Sequence, residues 1–373
     1  MKMKSYPYQQ ITDIEQLPAP AAGTGLIVHY AFQYIDFRKV PDYAAGHKFV
    51  DCCFFGCEFT EEQYQNCESC LALPRMGMNF HAFLPSLYNG DSLYEGYKPG
   101  VPESFGTCFD QLVYRDYIDQ RRHCDDLRVT LARALHDHSV TDKMQDFLQR
   151  YQIQDRIGVM GGHGLGRSDI GFEHIARFSK SLTEHGRLMV SGGGPGAMEA
   201  THFGAWMAGR TEDEFKDALD IIIGGGNDPS KLSWLDSAFK VRKKYPQRRY
   251  HSLAIPTWLY GHEASTPFAT EIAKYFENSL REDTILTVAS GGILFTPGSA
   301  GTMQEIFQEA AQNHYVTNYV SSPMVFLGTN FFSEEVPVYP FLCDLCLKGK
   351  YKNLTLHITD SYEEAAEFFF RSM

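Results

Sequence analysis

The chain has 373 residues, 43% hydrophobic and 14% aromatic, which suits two globular domains, one of them with a sizeable core. Its formal net charge of -12 and pI near 5.6 oppose general binding to nucleic-acid backbones, though local donors can still hold one small anion. Nine irregularly spaced cysteines fit reduced thiols in the cytoplasm better than a secreted disulfide framework. Met1–Gln10 lacks the apolar core of a signal peptide, and no apolar run reaches the roughly 18 residues that cross a membrane.

Residues 1–150 are rich in Tyr, Phe, Cys and Pro. Gly25–Tyr30 and the stretch from Phe49 to Phe59 are apolar and β-prone, and a Pro/Gly/Asn-rich passage follows from Pro74 to Pro102. From Asp110 to Tyr151 the pattern is helical, with Leu127, Leu131, Leu135 and His138 three and four apart. This reads as a small α+β cap or accessory domain with a connecting helix, without a fixed-period repeat.

Residues 151–373 alternate short apolar strands with amphipathic helices. Strands are expected at Ile157–Met160, Arg187–Ser191, Leu219–Ile223, His251–Ile255, Gly292–Thr296, Met324–Gly328 and Leu354–Ile358. Helices are expected at Phe172–His185, Ala197–Ala208, Leu232–Lys244, Phe268–Glu282 and Thr302–Asn313. A last helix opens with Ser361 and Glu364 at capping-box spacing. Such alternation specifies an α/β, doubly wound, Rossmann-like parallel sheet with its strand-to-helix turns gathered on one ligand-binding edge.

Three of those turns are glycine-rich. The first, Gly161-Gly162-His163-Gly164-Leu165-Gly166-Arg167, lacks the dinucleotide fingerprint's glycine spacing, and no acid ends the strand at Ser191. The second, Ser191-Gly192-Gly193-Gly194-Pro195-Gly196-Ala197-Met198-Glu199-Ala200, leads into a helix whose N-terminal amides suit an anion. There Glu199 either contacts substrate or only complements the helix dipole. The third, Thr296-Pro297-Gly298-Ser299-Ala300-Gly301-Thr302-Met303-Gln304-Glu305, combines backbone amides, one hydroxyl and a carboxylate one turn into the helix. Beyond the strand near 251–255, Trp258 and Tyr260 are placed either to stack on a base or to sit in the core.

The second and third turns together resemble the paired motifs of the LOG-type nucleoside 5'-monophosphate phosphoribohydrolases, often labelled "lysine decarboxylase". The resemblance covers roughly residues 156–330, and the extra N-terminal 150 residues make the chain similar to the longer pyrimidine/purine nucleotide 5'-monophosphate nucleosidases. It implies that Gly298, Ser299, Ala300, Gly301 and Thr302 hold the substrate 5'-phosphate, that Glu305 acts at the ribose, and that Arg281 is its catalytic partner. The other candidates for contact with the nucleotide are Gly162, His163 and Arg167 of the first turn, Gly193, Gly194, Gly196, Met198 and Glu199 of the second, and Tyr260, His262 and Glu263 beyond the strand near 251–255. The chain departs from the family pattern at Ser299, usually glycine, at His163, usually serine, and in the missing Met-His-Glu-Arg-Lys signature, where Tyr260-Gly261-His262-Glu263 stands. The implied reaction gives free base and ribose 5-phosphate, without metal or organic cofactor, in a cytoplasmic homodimer. The alternative is a nucleotide-binding regulator that does not hydrolyse its ligand. Cys67-x-x-Cys70 and Cys343-x-x-Cys346 are read as free thiols rather than as a zinc site.

Overall fold

The computed structural model describes residues 8–73, 75–122, 124–261 and 264–371. The chain divides into two compact units, one of residues 1–86 and 123–139, the other of residues 87–122 and 140–373. The boundary expected near residue 150 therefore shifts. Segment 87–122 joins the second unit because Tyr88 and Ile272 exchange backbone hydrogen bonds (3.1 and 2.7 Å) that the local sequence does not reveal.

In the first unit, strands β1 (Gln9–Ile11), β2 (Leu26–Val28), β3 (Tyr30–Gln33), β4 (Lys48–Val50), β5 (Cys53–Phe55), β6 (Cys67–Glu68) and β7 (Leu71–Leu73) alternate between two parallel sheets. Their orders are β1-β3-β5-β7 and β2-β4-β6. Each circuit of the chain thus adds one strand to each sheet, so this unit is a parallel β-helix and not the α+β cap that its composition suggests. The repeat is real. Ile27, Phe32 and Phe37, and one coil later Phe49 and Phe54, recur at every fifth residue and are buried. Phe32 stacks on Phe54 (5.2 Å between centroids) and Phe37 on Phe59 (4.6 Å). The corners at His29, Asp51 and Ser69 take the same left-handed backbone (φ 62°, 50° and 56°) in successive coils. A period of five matches neither strand nor helix. Helix α1 (Pro41–Gly46) lengthens one coil and conceals the repeat, while α2 (Glu61–Tyr64) sits in the next.

The second unit begins with α3 (Gly90–Leu93), α4 (Phe109–Asp119) and the end of α5 (Leu127–Leu148). Then follow β8 (Arg156–Met160), α6 (Ile170–Glu184), β9 (Leu188–Ser191), α7 (Ala197–Trp206), α8 (Glu212–Gly224), α9 (Leu232–Lys244), β10 (Ser252–Ala254) and β11 (Glu271–Ile272). The chain closes with α10 (Asn278–Val288), β12 (Gly292–Phe295), α11 (Ala300–Tyr315), β13 (Pro323–Leu327), α12 (Val338–Leu347), β14 (Thr355–Thr359) and α13 (Tyr362–Arg371). The seven strands form one parallel sheet of order β11-β10-β9-β8-β12-β13-β14, flanked by helices: the doubly wound, Rossmann-like arrangement.

Two expected elements differ. Leu219–Ile223 is the end of α8, whose buried Phe215, Ala218, Leu219 and Ile222 have helical spacing and whose start is capped by a Thr211–Glu214 capping box. An apolar run that short fits either state. Phe268–Glu282 starts in a turn at Phe268, holds the short strand β11, whose Ile272 pairs with β10 on one side and Tyr88 on the other, and turns helical only at Asn278. Tertiary pairing overrides helical pattern there. Among the described residues no helix is long and apolar enough to cross a membrane.

Candidate functional site

After β8 the chain runs outward through β9, β10 and β11, and then returns to build β12, β13 and β14 on the other side. The carboxyl ends of β8 and β12 therefore mark the switch point, where loops leave in opposite directions and open a crevice. A cleft of about 430 Å³ lies there. It is lined by all three glycine turns, together with Pro256, Thr257, Tyr260, Ser265, Arg281, Glu282, Gln304 and Glu305.

The turns are locked together by backbone. Gly162 donates its N–H to the Pro297 carbonyl (3.1 Å) and accepts from the Ala197 N–H (3.2 Å), so the first turn bridges the other two. Gly196 has φ 70°, and a β-carbon there would stand 2.5 Å from the Gly162 carbonyl oxygen, so only glycine permits this closure. Behind the second turn, the buried His202 imidazole lies between Ser191 Oγ (2.8 Å) and Ser252 Oγ (2.9 Å), and Ser191 Oγ accepts the Gly193 N–H (3.2 Å). Burial pushes the His202 imidazole down to about 3, which keeps it neutral with one nitrogen donating and the other accepting. It is a rigid support for the loop. Sequence reading missed it, because a histidine inside an apolar helix carries no sign of its partners.

At the third turn, α11 starts at Ala300 with Ser299 as N-cap, and no side chain caps the helix. Ser299 has φ −111°, so a serine there causes no strain. Among the described residues the N–H groups of Ala300, Gly301 and Thr302 have no protein acceptor, and the first internal bond is Met303 N–H to Ser299 O (3.1 Å). Bare amides at the positive end of a sixteen-residue helix form an anion cradle. Thr302 adds its hydroxyl.

Glu305 faces the same cleft, one turn farther in. Burial pushes its carboxyl up to about 7; Arg281 pulls it back toward ionisation and Glu282 opposes that. Arg281 reaches the cleft by donating Nε–H to the Ile255 carbonyl (3.0 Å), which lays its guanidinium across Gly192 where any β-carbon would collide with it. Glu282 is held by Asn278 (2.5 Å) and Gln304 (3.1 Å), which fixes the rim opposite.

Of the nucleotide-binding residues expected, Gly162, His163, Gly194, Met198 and Tyr260 line the cleft with Ser299, Ala300, Gly301, Thr302, Arg281 and Glu305. Gly193, Gly196 and Gly298 shape the turns without lining it. Arg167 and Glu199 are not in it: each side chain is 1% exposed, and they are joined by two hydrogen bonds (3.0 and 2.5 Å). Arg167 also donates to the Ile222 carbonyl (3.0 Å) and Ser237 Oγ (2.8 Å) and lies over the Trp234 ring. Their buried charges face each other and not the cleft. Trp258 is core, stacked on Phe276 and donating to Asp110 (3.0 Å), whereas Tyr260 is 48% exposed at the cleft. His262 and Glu263 lie outside the described residues. Pro256, Thr257, Ser265 and Glu282 also line the cleft and were not singled out by sequence, since no glycine turn marks them.

No family model matches the chain, and no curated protein does. Among solved structures, the X-ray structure of TM1055, a Northeast Structural Genomics Consortium target, is similar at 18% identity and a TM-score of 0.38. The match covers 98% of that chain and 58% of this one.

Proposed function

We propose that the chain hydrolyses the N-glycosidic bond of nucleoside 5'-monophosphates, releasing free base and ribose 5-phosphate. The observation that carries this reading is the pairing of an uncapped helix N-terminus with a carboxyl of raised pKa one turn inside the same helix. The bare amides of Ala300, Gly301 and Thr302 bind the phosphate, and that remote binding holds the ribose over Glu305. As the C1'–N bond breaks, its electron pair leaves with the base and positive charge builds on the sugar. The Glu305 carboxylate stabilises that charge and orients a water, whose oxygen bonds to C1' while its proton ends on the base. Arg281, across Gly192, favours the ionised form of Glu305. The LOG resemblance of the second and third turns agrees with this assignment and implies a homodimer, which sedimentation of the full chain tests.

The deciding experiment incubates the protein with AMP, GMP, IMP, CMP and UMP and separates free base by chromatography. Release from at least one is expected. Binding of a nucleotide with no release from any would favour the regulator.

The reaction also has a defined pH response. The Glu305 carboxyl is neutral below about 7 and charged above it, so kcat/KM is expected to rise with pH through that value and then level off. A rate that is flat or falls between pH 5 and 8 would remove Glu305 as the ionised group. Stability follows the opposite sense. The folded protein keeps this proton up to about pH 7, whereas an exposed glutamate loses it near 4.5, so the burial of Glu305 costs stability as pH rises between the two.

A further inference from the structure

Opposite the anion cradle, the cleft wall holds a serine supported by a buried charge pair. Ser265 is 3% exposed, yet lines the cleft. Its backbone is fixed twice: its carbonyl accepts the Tyr94 hydroxyl (2.5 Å), and the neighbouring Thr266 N–H donates to the Gly193 carbonyl (2.8 Å). Its Oγ accepts a hydrogen bond from Lys274 Nζ (3.1 Å). Lys274 is fully buried and paired with the equally buried Asp110 (2.6 Å), which also accepts the Trp258 indole N–H (3.0 Å). The ammonium lies 5.3 Å from the Trp258 ring centroid.

This arrangement sets the polarity of the hydroxyl. A serine oxygen that accepts from an ammonium turns its single proton elsewhere, and the ammonium strengthens it as a donor. Among the described residues no acceptor takes that proton, and the open side of Ser265 is the cleft. A ligand acceptor is the partner it lacks.

Sheet order says which part of the ligand arrives there. The anion cradle follows β12, and Ser265 lies beyond β10, with β8 and β9 between. Three strand spacings of about 4.8 Å are roughly 14 Å, the reach of a nucleotide from phosphate to the outer edge of its base. Resting on the nucleotide reading above, we infer that Ser265 Oγ–H donates to a carbonyl oxygen of the base, with Lys274 and Asp110 as positioning residues. The cleft therefore selects oxo-bases over those bearing an amine at that edge, where two donors would face each other.

IMP and AMP differ at that atom, oxo against amino. With the full-length protein, kcat/KM for IMP is expected to exceed that for AMP by about tenfold, the size of one directed hydrogen bond. Ser265→Ala should bring the ratio close to one through loss on IMP, and Ser265→Thr, which keeps the hydroxyl, should restore it. Should Ser265→Ala not fold, Ser265→Cys, a weaker donor of similar shape, serves in its place with a smaller fall in the ratio. An unchanged ratio in the alanine or cysteine variant, or a wild-type preference for AMP, overturns the inference while leaving hydrolysis standing. If wild type releases no base at all, the hydrolase reading fails instead. The calorimetric affinities of IMP and AMP for wild type and Ser265→Ala then decide the donor by the same ratio.

Discussion

Replacing Glu305 by glutamine is expected to lower base release by about a thousandfold while leaving nucleotide binding within a few-fold of wild type. Glutamine keeps the size of the side chain and removes only its charge. The proposed phosphate cradle is built of backbone amides on Ala300, Gly301 and Thr302, none of which depends on residue 305. Ground-state affinity should therefore survive. In the proposed reaction, what disappears is the negative charge beside a sugar that becomes cationic only in the transition state, so the loss belongs in kcat. The variant is also expected to lose the rate increase through pH 7, because the group that titrates there is gone. Single-turnover assays with titration calorimetry measure both halves. A Glu305→Gln protein that still releases base at more than a tenth of the wild-type rate would leave the carboxylate without a chemical role, and Glu282, which lines the same cleft, would be the next candidate.

The distribution of what the sequence revealed has a physical pattern. Glycine turns at the ends of apolar strands are legible because local conformation dictates composition: Gly196 needs positive φ, and Gly192 must let Arg281 pass. All three turns converge where the doubly wound sheet places them. Features created by long-range packing were not legible. Ser265 owes its role to Lys274, Asp110 and Tyr94, brought from distant segments, and nothing local marks it. The β-helix was hidden for another reason: its fifth-residue period is outside the two periods that betray strands and helices, and α1 interrupts the phase between Phe37 and Phe49. The Leu219–Ile223 error shows the converse, that a short apolar run matches two structures until its partners are known.

Glu199 lies in the helix after the second glycine turn yet is buried away from the cleft, and its replacement is expected to damage the fold first. Glu199→Ala leaves the guanidinium of Arg167 buried without its carboxylate, and breaking such a pair costs about 3–5 kcal/mol. The loss is not confined to one contact. Arg167 leaves the first glycine turn and ties α7, through Glu199, to the Ile222 carbonyl of α8 and Ser237 of α9, with Trp234 against its face. Removing the anchor loosens the frame that holds Gly162 between the other two turns. Denaturant titration of Glu199→Ala should show a clearly lower midpoint, and nucleotide affinity should fall only in proportion to the unfolded fraction. The double replacement Arg167→Met with Glu199→Leu removes both charges and should regain much of the stability, because two apolar side chains avoid the desolvation of an unpaired ion. A Glu199→Ala protein of undiminished stability that has lost nucleotide binding would reverse this assignment and make the carboxylate a ligand contact after all.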